Sequence, residues 1–133
     1  MKLRILVAAA VLLAGGVRAS AHPAPFSYLD IVFRNGGIDG TLVVHIIDVA
    51  HDLGIQPVER LLDDRLVQSE SERIGRLLQP RIQIRSNRRL TLEWQSVELL
   101  REELALRLKY RIADEQPGAI SIDTNLFPYD PIH

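Results

Sequence analysis

Four histidines and two aspartates carry the chemistry this sequence offers: His22, His45, Asp48, His51, Asp130 and His133. His45, Asp48 and His51 form an H-x-x-D-x-x-H run, and Asp130 and His133 close the chain. Imidazole and carboxylate donors without any thiolate suit Cu(II) or Ni(II). The chain has no cysteine, which removes thiolate ligands, a cysteine nucleophile and disulfides together. The carboxylate pairs Asp63-Asp64 and Glu102-Glu103 lie where helix or turn is expected. They read as caps and solvated charge, not as a general acid and base. No G-x-x-x-x-G-K-[ST] loop, G-x-G-x-x-G, G-x-S-x-G elbow or H-E-x-x-H helix occurs. Nothing therefore points to a nucleotide or zincin enzyme, and the chain reads as a non-enzyme.

The place of His22 depends on how the chain starts. Lys2 and Arg4 precede an apolar run from Ile5 to Ala14, and Ala19-Ser20-Ala21 is a small-x-small cleavage signal. Residues 1–21 therefore read as a secretory signal peptide, because the run is far short of the roughly 20 residues that span a bilayer. Cleavage after Ala21 makes His22 the first residue, where its imidazole and the free α-amine chelate one ion; Pro23 has no amide N–H to add a third nitrogen. Cleavage after Ala19 instead gives Ser20-Ala21-His22, whose amine, two amides and imidazole make a square-planar Cu(II) or Ni(II) site. The plain alternative is a histidine that happens to lie near a cut in the terminus. Loss of Lys2, Arg4 and Arg18 with the leader leaves 13 basic residues against 17 acidic ones, a formal net charge of −4. That balance disfavours nucleic acid as a partner.

The elements that must position these residues follow from hydrophobic period. Residues 22–133 are enough for one domain and one core. Phe26 to Arg34 reads as a strand, Asn35-Gly36-Gly37 as a turn, and Gly40 to Asp48 as a central strand covered on both sides. In a continuous strand His45 and Asp48 point to opposite faces, so their convergence requires a turn near Asp48. Otherwise Asp48 caps a short helix from Val49 to Leu53, and His45 is a satisfied core histidine. Residues 57–78 carry helical spacing, with a break at Asp63-Asp64. From Pro80 period two returns through Ile82 and Ile84, then Leu90, Leu92 and Trp94, then Leu104 to Ile112. Arg107, Lys109 and Arg111 alternate on the outer face of that last strand as a solvated row. Ala119 to Asp123 is a further short strand. The expected fold is mainly β: an antiparallel β-sandwich with a short helical insertion between the second and third strands. Six strands with two free edges describe an incomplete sandwich, marginally stable or oligomeric.

Three stretches carry a resemblance. They are Ala21-His22-Pro23-Ala24-Pro25-Phe26-Ser27-Tyr28-Leu29-Asp30, then Gly40-Thr41-Leu42-Val43-Val44-His45 through Ala50-His51-Asp52-Leu53-Gly54, and Leu126-Phe127-Pro128-Tyr129-Asp130-Pro131-Ile132-His133. Together they resemble the N-terminal extracytoplasmic domain of HupE/UreJ-like membrane proteins. The resemblance implies a β-rich domain outside the membrane, joined to transmembrane helices whose relatives are described as nickel or cobalt permeases. The given chain stops inside the third stretch, before such helices, and lacks the histidine-rich permease motif; the permease activity itself is not carried over. The resemblance implies a periplasmic or other extracytoplasmic location and a membrane permease domain or membrane protein as partner. It also strengthens the metal reading, because His22, His45, His51 and His133 all fall inside the matching stretches. The rival reading is a metal-free interaction module docking on a membrane partner.

Overall fold

A computed structural model describes residues 26–113 and 118–129 of the chain. The hairpin signal is met: β1 (Tyr28–Arg34) pairs antiparallel with β2 (Gly37–His45), from Tyr28 opposite Val43 to Arg34 opposite Gly37. Gly36 supplies the turn with φ at 86°, a conformation a side chain resists.

β2 starts earlier than the strand expected from Gly40 and stops at His45. Helix α1 (Ile46–Leu53) begins where that strand was to continue to Asp48. Two periods overlap here, since Val44 and Ile46 alternate while Ile46, Val49, Ala50 and Leu53 recur at helical spacing. The helical stripe wins: those four are buried, whereas Ile47 is exposed. His45, not Asp48, is the N-cap, its Nδ1 accepting from the Ile47 amide at 3.3 Å. Gly54, at φ 65°, closes the helix in the left-handed conformation.

A short 3₁₀ turn (Val58–Leu62) precedes helix α2 (Asp64–Leu78), and the expected break holds: Asp63 caps α2 by accepting from the Arg65 amide at 2.9 Å. The buried residues of α2 are Val67, Ile74, Gly75 and Leu78. After a 3₁₀ turn at Gln79–Arg81 come β3 (Ile82–Arg85), β4 (Arg89–Leu90), β5 (Glu93–Leu100), β6 (Ala105–Ala113) and β7 (Ser121–Thr124). Leu104 falls in the turn before β6, at φ 50°, and the short strand expected at Ala119 starts at Ser121. The two-residue β4 brings the described strands to seven.

All pairings are antiparallel. One sheet runs β1-β2-β6-β5 and the other β4-β3-β7. The insertion of helices between the second and third strands is as expected, and the sheets do not close into a barrel. Register sets Leu42 opposite Leu108, Val44 opposite Leu106 and Ile38 opposite Ile112, so one face of the larger sheet is continuously apolar. These residues share a single core with Ile82, Ile84 and Leu90 of the second sheet, Val49, Leu53, Val67 and Leu78 of the helices, and Phe127. At Gly40 the Tyr110 ring crosses β2, and its hydroxyl donates to the Asp30 carbonyl on β1 at 3.0 Å. On the opposite face Arg107 lies 3.4 Å from Glu98 and Arg111 3.9 Å from Asp39, a cation row interleaved with carboxylates. Among the described residues no helix is long and apolar enough to cross a membrane.

Candidate functional site

Helix α1 has two faces. Ile46, Val49, Ala50 and Leu53 anchor it in the core, while Asp48, His51 and Asp52, spaced i, i+3 and i+4, fall on one side. Against that side lies the C-terminal loop. Phe127 is buried in the core, and Tyr129 reaches across α1 to donate its hydroxyl to Asp48 Oδ1 at 2.5 Å. Asp48 is itself buried, so this short hydrogen bond is made in a poorly hydrated place. The His51 ring stacks on the Tyr129 ring, with centroids 3.8 Å apart and planes 26° from parallel.

His51 is held from a second direction. Its Nδ1 lies 2.9 Å from Asp52 Oδ1, and Asp52 also receives the Arg81 guanidinium. Burial works to raise the Asp52 pKa, but the hydrogen bonds from His51 and Arg81, and the charges of both, outweigh it and hold the carboxyl below its usual range. Asp52 is therefore an acceptor, and the shared proton belongs to His51 Nδ1. In the neutral imidazole this leaves the Nε2 lone pair available, on a side chain 58% exposed. Arg81 also donates to the Leu126 carbonyl and lies over the Phe127 ring, 5.9 Å from its centroid. One guanidinium thus ties α1 to the C-terminal loop.

The structure joins two of the expected site residues, Asp48 and His51, through Tyr129. It separates His45, which is 7% exposed and occupied in capping α1. His45 also borders a groove of about 260 Å³ whose lining includes the Phe26 and Tyr28 rings, Leu104 and the acidic residues Glu102 and Glu103. Among the described residues no three His, Asp or Glu side chains form a group that could hold a metal ion. His22, Asp130 and His133 lie outside the described residues. Three participants were not singled out by sequence reasoning: Asp52, Arg81 and Tyr129. Asp52 had a local signal, since it follows Asp48 by four residues and adjoins His51. Arg81 had none, because its partner is 29 residues away. The chain matches no family model, and no curated protein and no solved structure is significantly similar to it.

Proposed function

We propose that this chain is the extracytoplasmic β-rich domain of a HupE/UreJ-like membrane protein, exported after cleavage at Ala21, and that it binds Cu(II) or Ni(II). In this reading it is a binding module, not an enzyme, working beside a permease domain or membrane partner. The observation that carries the reading is the His51–Asp52 pair. A carboxylate that accepts a hydrogen bond from Nδ1–H and leaves the Nε2 lone pair for a ligand is the outer-shell arrangement that metal-bound histidines use. Nitrogen-rich donors without thiolate favour the two named ions. His22, Asp130 and His133, with His51, are the residues that would complete the ligand set; His45 and the Tyr129-bound Asp48 fit a supporting role better.

Calorimetric titration of each ion into processed protein tests this. His51→Ala should weaken binding at least tenfold, and Asp52→Asn by roughly 10–100-fold, as loss of an outer-shell carboxylate does elsewhere. His22→Ala, or an extra N-terminal Met, should weaken it as well. Binding that ignores His51→Ala would overturn the role of His51. A protein that binds neither ion at micromolar concentration leaves the second reading, the metal-free interaction module. That reading is favoured by the exposed Phe26 and Tyr28 rings bordering the groove beside His45.

A further inference from the structure

β1 forms one edge of the larger sheet. It pairs with β2 at seven consecutive positions without a bulge, and among the described residues no strand lies on its other side. Such an edge is a template for another strand unless it is short, bulged, or carries lysine or proline. The other described edges have such protection: β4 has two residues, β7 has four, and β5 carries a register shift between Trp94 and Ser96. β1 has neither Lys nor Pro, and Tyr28, Leu29, Ile31, Val32 and Phe33 make it mostly apolar. Tyr28, Val32 and Phe33 are 57%, 44% and 53% exposed.

The charges of β1 select its partner. Asp30, Val32 and Arg34 share the face away from the core, with Val32 midway between the charges. When two copies pair antiparallel about a two-fold axis at Val32, Asp30 of each faces Arg34 of the other. Ile31 then faces Phe33 on the opposite face. A two-fold at Asp30 or at Arg34 would set like charges against each other, and one at Ile31 would set Asp30 against Val32. Arg34 now lies 3.6 Å from Asp39, and Asp30 accepts from Thr41 Oγ1 at 3.1 Å; both contacts are exposed and open to exchange.

We propose that β1 pairs with β1 of a second copy of this chain, in the register centred on Val32, to give one continuous eight-stranded sheet. Sedimentation velocity on the purified protein should show a dimer in reversible equilibrium at micromolar concentration. Asp30→Arg alone and Arg34→Asp alone should each weaken dimerisation at least tenfold. An equimolar mixture of the two variants should dimerise again, because it puts opposite charges at both facing positions. Should either variant fail to fold, the cysteine-free chain offers another measurement. On oxidation, Val32→Cys should give a covalent dimer well before Ile122→Cys, a similarly exposed control on β7. A wild-type protein that stays monomeric, a mixture of folded variants that does not recover, or equal cross-linking at the two positions would each overturn the proposal.

Discussion

Replacing Gly40 by alanine should damage this fold more than a single methyl group suggests. A Cβ at Gly40 would lie 2.3 Å from both Cζ and Oη of Tyr110 and 2.4 Å from the Asp30 carbonyl oxygen. None of these atoms is the end of a flexible chain: Tyr110 is buried against Trp94, ring centroids 5.9 Å apart, and Asp30 is backbone. Overpacking of this kind costs about 1–3 kcal/mol. Displacing the ring also breaks the bond from Tyr110 to Asp30, worth about 1 kcal/mol. Removing a glycine from a strand returns roughly 0.5–1 kcal/mol. The net loss is about 3 kcal/mol if the clash term lies at its upper end, as the short contacts require, which corresponds to a fall of about 12 °C in Tm for a domain of this size. Urea unfolding of wild type, Gly40→Ala, Tyr110→Leu and the double variant measures it. Leucine lacks Cζ and Oη and so removes two of the three clashes, leaving only the Asp30 carbonyl, and the double variant should be destabilised by at least about 1 kcal/mol less than the sum of the singles. A Gly40→Ala protein within about 0.5 kcal/mol of wild type, or strict additivity, would refute the packing argument.

Tyr110 also predicts an alkaline limit: burial, and then the charge of Asp30, push its pKa up to about 12. A proton held more tightly by the folded state stabilises it fully below the unfolded value near 10, and this contribution disappears as pH rises to about 12. The loss of roughly 2–3 kcal/mol should be seen in urea midpoints across that window and be absent in Tyr110→Phe. Tyr129→Phe removes a hydrogen bond to the buried Asp48 side chain and should cost about 1 kcal/mol in equilibrium unfolding, whereas an unchanged midpoint would mean that the loop is not clamped there. Asp63→Ala removes the α2 cap and should cost about 1 kcal/mol by the same measurement. Intact mass of exported protein should correspond to a chain starting at His22; a mass that includes residues 1–21 would refute the leader assignment.

What could be read from sequence follows the range of the interactions. The first hairpin was legible because Asn35-Gly36-Gly37 is a local turn signal, and the α2 start because Asp63 caps within two residues. The end of β2 was not. Residues 44–53 satisfy the strand and helix periods together, and a long-range contact, the Ile46 amide donating to the Leu104 carbonyl at 2.9 Å, helps fix the switch. The run read as one strand through Leu90, Leu92 and Trp94 is two, β4 ending at Leu90 and β5 starting at Glu93, because Leu90 pairs with β3 in one sheet and β5 with β6 in the other, a division that no local period encodes. The division into two sheets depends on β3 meeting β7 some forty residues later, which no local pattern encodes.

The H-x-x-D-x-x-H run shows why residue type alone misleads about a site. Equal spacing suggests equal roles, yet the switch from strand to helix at His45 assigns three different ones. His45, still extended, uses its imidazole to satisfy a helix amide. Asp48, in the first turn, sits close to the positive end of the α1 dipole and takes the Tyr129 hydroxyl, so its carboxylate is spent on holding the C-terminal loop. His51, one turn further, has left the core and keeps an exposed ring whose orientation is set by Asp52 and by the tyrosine face. Of the three, only His51 offers a donor atom on an exposed side chain. That donor is oriented by Tyr129 and by Arg81 through Asp52, and these belong to the same clamp that seats Phe127 in the core. The order of the candidate site and the closure of the core are therefore one structural event, and any ligand that selects the ordered His51 ring stabilises the C-terminal loop with it.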